Sequence, residues 1–140
     1  MNPANNLGGM GLTYVRIRVS KHGRGKFASV RAMVDTGATS TMLPRKVLDS
    51  VGVKPSRTIP VRLADGRVVT RDFGIAFVRY EKYAAWTQIL FGEPGDATVL
   101  GALTLEELWL QVDPRSGKLR EVKEALMVSL VPIGSEASGA

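Results

Sequence analysis

The stretch "AMVDTGATSTMLP", Ala32–Pro44, places one carboxylate between an apolar run and a glycine turn. Three apolar residues precede Asp35 and predict a buried strand that ends at this acid. A carboxylate that leaves water is costly unless hydrogen bonds or a partner compensate. Gly37 would let backbone N–H groups approach the carboxylate, because a Cβ would block them, and Thr36 adds a hydroxyl group. The turn would then hold the acid rigidly and direct it outward, although the tripeptide alone favours an ordinary Asx-type turn.

Length and composition predict one domain with a single core. The chain has 140 residues, of which 44% are hydrophobic. Its 15 glycines and 7 prolines indicate many turns, which favours β structure over a helix bundle. We expect the polar segments 1–11 and 134–140 to be mobile and residues 12–133 to form the domain.

Residue counts exclude several chemistries. The chain has no cysteine, so disulfides, thiolate metal sites and cysteine nucleophiles are excluded. Its one histidine, His22, lies in a turn-like segment, so a histidine metal site or a Ser-His-Asp triad is not expected. We therefore expect no metal site of either kind.

Charge and hydropathy indicate whether the chain binds nucleic acid or a membrane. The net charge of +6 raises the question of an acidic partner, but no basic run and no basic-aromatic interleaving occur along the sequence. We expect a solvated basic surface and no nucleic-acid partner, with nucleic-acid binding driven by the net charge as the weaker alternative. The sequence shows no signal-peptide pattern and no apolar stretch long enough for a membrane, which predicts a soluble, cytoplasmic protein.

Turn residues divide the chain at β spacing. Alternation in "LTYVRIRVS" predicts a half-buried strand, and hairpins are predicted with turns at 21–26, 65–66, 81–82 and 113–117. Pro44 is expected to open a short helix that ends near Gly52. A second helix is expected after the short strand "ATVLG", with Thr104 as N-cap and Glu107 completing a capping box.

Two motifs in order resemble the retropepsin-like aspartic proteases. "MVDTGATSTMLP" is the more specific, and "TVLGALTLEELWLQVDP" resembles the family's apolar-apolar-Gly strand before its helix. A faint internal echo pairs Gly37-Ala38 with Gly101-Ala102. The resemblance covers about residues 13–122. It implies an all-β fold: a small closed β barrel of the acid-protease type with a flap hairpin and one or two short helices, half of a homodimeric protease.

The resemblance also implies a mechanism. In this family the two catalytic aspartates come from two subunits, and the chain contains a single Asp-Thr-Gly. Two copies of Asp35 would therefore meet across a two-fold axis in a homodimer and hydrolyse peptide bonds through an activated water. Thr36 would supply hydroxyl bonds beneath the pair, and Gly37 would hold each carboxylate in plane.

Substrate contacts are implied at a second region. The flap would be the hairpin 60–73, which closes over a peptide or protein substrate. Ala38 lacks the hydroxyl of Ser-containing relatives, which predicts a less acidic optimum of activity. Substrate-binding residues are expected at Ala38 and at the hairpin tip, Ala64, Asp65, Gly66 and Arg67.

Departures from the viral pattern keep an alternative open. The flap tip reads "ADGR" in place of a glycine-rich sequence, and Thr39, Ser40 and Ala102 stand where viral members have an ion pair that braces the dimer. The alternative is a non-catalytic retropepsin-like module that dimerises or holds a peptide. The apolar segment 123–133 could form an edge strand at a dimer interface or cover its own core.

Overall fold

The computed structural model describes residues 12–124. The predicted mobile segments 1–11 and 134–140, and the segment 123–133 beyond its first two residues, lie outside the described residues. Residues 12–124 form nine strands and two short helices: β1 (Thr13–Ser20), β2 (Phe27–Val34), β3 (Thr41–Pro44), α1 (Arg45–Ser50), β4 (Arg57–Arg62), β5 (Val68–Tyr80), β6 (Tyr83–Gly92), β7 (Val99–Leu100), α2 (Ala102–Glu107), β8 (Leu110–Val112) and β9 (Leu119–Glu121).

Seven of these strands form one sheet that curls back on itself. The order is β1-β2-β7-β3-β6-β5-β4, and β1 also pairs with β5, so six strands are linked in a ring. The pairs β2–β7 and β3–β6 are parallel, whereas the remaining neighbours are antiparallel. The long strand β5 makes this possible, because its first half pairs with β4 and its second half with β6 and β1.

The core lies inside the ring and under the two helices. Side chains alternate along most of β1, where Ile17 and Val19 are fully buried and Arg16 and Arg18 are exposed. Leu48 of α1 and Leu105 of α2 close the core from the helices. The predicted mostly-β class and the predicted hairpins are confirmed. Within residues 12–124, no helix is long and apolar enough to cross a membrane.

The first predicted helix is confirmed, whereas the start of the second differs from the prediction. Pro44 is the last residue of β3 and the N-cap residue of α1, which begins at Arg45 and ends at Ser50. The N-cap residue of α2 is Gly101, and the predicted capping box of Thr104 and Glu107 is wrong. The physical reason is burial: Thr104 is 0% exposed, and its hydroxyl group bonds to other buried hydroxyls instead of capping the helix.

Three buried threonines join α2 to the sheet. Thr41 Oγ1 donates to Thr104 Oγ1 at 2.6 Å, and Thr104 Oγ1 lies 2.8 Å from Thr87 Oγ1. Thr41 Oγ1 also accepts the backbone N–H of Gly101 at 2.9 Å. Because buried polar groups are stable only when they are hydrogen-bonded, these contacts fix β3, β6 and the start of α2 relative to one another.

Replacement of the central hydroxyl tests this network. Thr104→Val keeps the side-chain shape but leaves the hydroxyls of Thr41 and Thr87 without that partner, so we expect a loss of about 1–3 kcal/mol in the free energy of unfolding. Urea denaturation measures the loss. The matched control is Thr70→Val, at an exposed position of β5, which should change stability by less than about 0.5 kcal/mol. Equal effects of the two substitutions would contradict the network.

Candidate active site

Asp35 is the first residue after β2 and is held by the neighbouring strand. Its backbone N–H donates to the carbonyl oxygen of Leu100, at the end of β7, at 3.0 Å. The side chain is half-buried, whereas Thr36 and Gly37 are exposed. The predicted strand before the acid is present, with Ala32 fully buried. The acid therefore lies at the edge of the core with its position fixed by a sheet hydrogen bond.

The turn after Asp35 places an N–H group on the carboxylate. Gly37 donates its backbone N–H to Asp35 Oδ1 at 2.9 Å, and the N–H of Ala38 donates to the carbonyl oxygen of Asp35 at 3.1 Å. A Cβ at position 37 would lie 3.2 Å from Oδ1, a tight contact that the carboxylate would have to shift to relieve. These bonds are those of an Asx turn. An ordinary turn and a turn that holds a reactive carboxylate would therefore show the same backbone hydrogen bonds. Only the surroundings of Asp35 distinguish them.

The second motif packs directly on this turn. A Cβ at Gly101 would lie 2.4 Å from the carbonyl oxygen of Ser40 and 2.9 Å from that of Ala38, so only glycine fits. Immediately after it, Ala102 donates its N–H to the oxygen of Ala38 at 2.8 Å, and Leu103 donates to the oxygen of Thr39 at 3.0 Å. The start of α2 is thus joined to the turn after Asp35 by backbone hydrogen bonds within the chain.

A groove of about 670 Å³ runs between the Asp35 turn and the β4–β5 hairpin. Of the predicted site residues, it brings together Asp35, Gly37, Ala38, Ala64, Asp65 and Arg67. Thr36 and Gly66 are not among its lining residues. Their predicted roles, like those of the residues that do line the groove, stay predictions.

Sequence reasoning missed most of the apolar lining. The floor includes Met33, Met42, Leu90 and Val99, and the hairpin adds Ile59, Val61 and Leu63. Alternation in "IPVRL" could have indicated the hairpin residues, since residues two apart share one face of a strand. The floor residues come from four strands joined by non-local pairings, for which a local pattern gives no signal.

The hairpin tip holds its own charge pair. Asp65 Oδ1 accepts the N–H of Arg67 at 3.0 Å, and Oδ2 accepts its guanidinium Nε at 2.8 Å. The backbone bond first, and then the guanidinium, lower the pKa of Asp65 below its ordinary value. Gly66 adopts φ +91°, which suits glycine in this tight turn. The acid at the tip is therefore kept as a carboxylate.

A second, less exposed ion pair anchors the hairpin to the loop before β7. Arg71 of β5 donates through Nε and Nη2 to the two oxygens of Asp96, at 2.7 and 2.9 Å. Asp96 also accepts the N–H of Glu93, and its side chain is only 10% exposed. The hydrogen bonds from Arg71 are the main cause that lowers the pKa of Asp96. Both the hairpin and this loop line the groove.

A third contact ties α1 to the same region. Arg45, the first residue of α1, donates to Asp72 at 2.6 Å and to Glu93 at 2.9 Å. Asp72 also accepts the hydroxyl of Thr58, from β4, at 2.6 Å. The hydroxyl of Thr58 first, and then the guanidinium of Arg45, lower the pKa of Asp72. The base of the hairpin is therefore fixed while its tip extends over the groove.

Comparison with known proteins identifies the family. Residues 16–101, more than half of the chain, match the family model described as aspartyl protease. The chain belongs to the aspartyl protease family, and its resemblance to retropepsin-like members is confirmed. A search of curated proteins found no match.

Solved structures include similar folds. The retroviral protease-like domain of Ddi1 from Leishmania major has a TM-score of 0.52 at 15% identity, over 80% of this chain and 90% of that one. A retropepsin-like aspartic protease from Rickettsia conorii has a TM-score of 0.44 at 18% identity, over 74% and 89%. The simian foamy virus (mac) protease has 0.45 at 19%, over 65% and 91%. The first of these shows a shared fold.

The anchor of the hairpin gives a pH-dependent prediction. Because the pKa of Asp96 is lower in the folded chain, its stabilisation is complete above the ordinary carboxyl value of about 4 and is lost as pH falls through the lowered value. Asp96→Asn should therefore cost about 1–3 kcal/mol of unfolding free energy at pH 7, and the difference from the wild type should shrink towards pH 2.

Urea denaturation at both pH values measures the effect. Asp49→Asn is the matched control, since Asp49 is exposed and forms no ion pair within residues 12–124. A difference between Asp96→Asn and the wild type that stays constant from pH 7 to pH 2 would rule out the ionised Asp96 as its cause.

Proposed function

We propose that the chain is a homodimeric aspartic endopeptidase in which the Asp35 carboxylates of two subunits share one site. The observation that carries this proposal is the position of Asp35: it lies in the groove, with one oxygen held by the N–H of Gly37. Membership of the aspartyl protease family supports the same chemistry. The groove favours a reactive Asp35 over an ordinary Asx turn, since an ordinary turn needs no groove beside it.

The charges in the groove explain why a second copy is required. Three acids of the described residues line it: Asp35, Asp65 and Asp96. Asp65 and Asp96 are paired with arginines that lower their pKa values, so neither can supply a proton near neutral pH. Asp35 forms no ion pair within residues 12–124. Hydrolysis by carboxylates requires one charged and one protonated member, and in this proposal the second member is the Asp35 of another chain.

Two adjacent carboxylates would share a proton, because like charges at close range cannot both ionise easily. The charged Asp35 takes a proton from water while the water oxygen forms a bond to the carbonyl carbon of the peptide. The protonated Asp35 gives its proton to the carbonyl oxygen. When the tetrahedral intermediate collapses, the C–N bond breaks and the leaving nitrogen takes the proton that the first Asp35 received from water. One hydroxyl group of the intermediate gives its proton back to the second Asp35 and becomes the carbonyl oxygen of the product acid. No metal or organic cofactor takes part in these steps.

The groove would hold the peptide on either side of this pair. Its floor offers Met33, Met42 and Leu90, and the hairpin offers Ile59 and Leu63. These side chains favour apolar residues of a substrate, because burial of apolar surface drives binding. The β4–β5 hairpin is the flap in this proposal, and its closure would exclude water from the reaction.

Removal of the carboxylate tests the proposal. Asp35→Asn should lower kcat for peptide cleavage by about a thousandfold or more, since the general base and acid are lost together. The measurement is cleavage of a fluorogenic peptide library at pH 4 to 7. Asp49→Asn removes the same charge from α1, outside the groove, and should retain wild-type activity. Peptide cleavage that persists in Asp35→Asn would contradict the proposal.

The mass of the protein in solution, together with its activity, distinguishes the proposed enzyme from a non-catalytic module. Sedimentation should show a dimer, and activity should fall together with the dimer on dilution. A stable dimer that binds peptides but cleaves none between about pH 3 and 7 would support the non-catalytic module instead. A strict monomer would rule out a pair of Asp35 side chains.

Ala38 gives a second prediction for the same site. Its methyl group offers the Asp35 pair no hydrogen bond, so the wild-type activity should not peak below pH 4. Ala38→Ser would favour the charged carboxylate and should move the acidic limb of the pH–rate profile down by about 0.5–1 unit, the equivalent of a net hydrogen bond of about 1 kcal/mol. Ala64→Ser adds the same hydroxyl at the hairpin tip and should leave the limb unchanged. A limb that moves equally in both variants would contradict the role of position 38.

A further inference from the structure

The outer face of the ring carries four arginines at adjoining positions. The register places Arg16 of β1 directly opposite Arg31 of β2, and Arg18 of β1 directly opposite Arg79 of β5. Arg16 and Arg18 are two residues apart and share this face, while Ile17 between them is fully buried. We call these four residues the arginine face. It lies on the outside of the sheet, away from the residues that line the groove.

This arrangement is unfavourable for the isolated chain. Like charges directly opposite each other destabilise a sheet, and the arginine face contains two such pairs. None of its four guanidinium groups forms an ion pair within residues 12–124. The acid nearest to it along the chain, Glu81, lies in the β5–β6 turn beyond the end of the strand. The face therefore presents positive charge that the described chain does not neutralise.

Aromatic rings lie among these charges. Phe27, Phe77 and Trp86 form a row of edge-to-face contacts, with centroid distances of 6.3 and 5.2 Å. The guanidinium carbon of Arg18 lies 4.6 Å from the centroid of Phe27, and that of Arg79 lies 5.7 Å from Phe77.

Two aromatic side chains, Tyr14 and the Trp86 of this row, reach solvent at the borders of the face. Tyr14 is 44% exposed and lies 4.0 Å below the guanidinium carbon of Arg31, and Trp86 is 49% exposed at the end of the aromatic row. The rings orient the planar guanidinium groups and leave two aromatic surfaces open to a partner.

We infer that the arginine face binds single-stranded nucleic acid. Guanidinium groups match phosphate oxygens with paired hydrogen bonds, which favours a phosphate polymer as the source of negative charge. Exposed rings beside the cations are the feature that favours a nucleic acid over an acidic polypeptide, because unpaired bases stack on aromatic side chains. Single strands are favoured over duplexes for the same reason. This inference departs from the expectation of a solvated basic surface, and it does not depend on proteolytic activity.

The two tryptophans provide a direct test. The chain contains only Trp86 and Trp109, and Trp109 follows α2, outside the arginine face. Trp109→Phe leaves Trp86 as the reporter, and Trp86→Phe leaves Trp109 as the matched control. Addition of a 20-nucleotide oligo(dT) or oligo(U) should quench the fluorescence of Trp86 and leave that of Trp109 unchanged. Quenching of Trp109 alone, or of neither, would overturn the inference.

Salt dependence and charge variants test the arginines. Fluorescence anisotropy with labelled oligo(dT) should give a slope of log Kobs against log salt of about −3, the value for four phosphates on a single strand. Arg18→Gln combined with Arg79→Gln should halve the slope and weaken binding about tenfold or more at 0.1 M salt. Lys54→Gln combined with Arg115→Gln removes the same charge from two exposed loop positions and should change affinity less than threefold.

Folding and the choice of partner need their own controls. Arg18→Lys combined with Arg79→Lys retains the charge and should restore the salt slope to about −3, so a slope that stays halved would contradict the charge contacts. Equal weakening by the two Gln pairs would show non-specific attraction and overturn the site. Equal affinity for a 20-bp duplex, or for polyglutamate of the same length, would overturn the assignment to single-stranded nucleic acid.

Discussion

The close approach of Gly101 to the Asp35 turn is the contact on which the rest of the site depends. No side chain fits at Gly101, because a Cβ would lie 2.4 Å from the oxygen of Ser40. Three hydrogen bonds accompany this close approach: Asp35 N–H donates to the oxygen of Leu100, Ala102 N–H to the oxygen of Ala38, and Gly101 N–H to Thr41 Oγ1. The acid therefore takes its position from backbone packing between two distant segments. Such packing holds a carboxylate more firmly than a flexible side-chain contact would, since each backbone group is itself fixed by the sheet.

Electrostatics divides the acids near the groove into two kinds. Those that support the structure are paired with arginines: Asp65 at the tip, and Asp72 and Asp96 at the base of the hairpin. Their lowered pKa values keep them charged. Asp35 receives one N–H bond and no arginine within residues 12–124. The hairpin is thus anchored by ion pairs that place no arginine beside Asp35. The carboxylates that hold the hairpin and the carboxylate of the proposed reaction are therefore different residues.

The sequence predicted features that depend on local residues. Hairpins follow from turn residues and alternation, so the β4–β5 hairpin and its Asp65–Gly66 tip were predicted correctly. Asp35 and Gly37 followed from a short motif. The apolar floor of the groove could not be predicted, because it requires the parallel pairings β2–β7 and β3–β6 across the chain. The capping-box error has the same origin: Thr104 has a common N-cap side chain, but its burial against Thr41 and Thr87 decided its role.

The arginine face is also formed by residues that are distant in the sequence, so a local pattern does not reveal it. A search along the sequence finds no basic-aromatic interleaving, because the contacting residues are far apart: Arg18 and Phe27 are nine residues apart, and Arg79 is 61 residues from Arg18. The β1–β2 hairpin brings Phe27 to Arg18, and the pairing of β1 with β5 brings Arg79 to Arg18. Arg31 and Asp35 are four residues apart, about 13 Å along an extended strand. A strand of nucleic acid on the outer face would therefore lie close to the end of β2 without entering the groove, so the chain presents two surfaces of opposite chemistry on one rigid sheet.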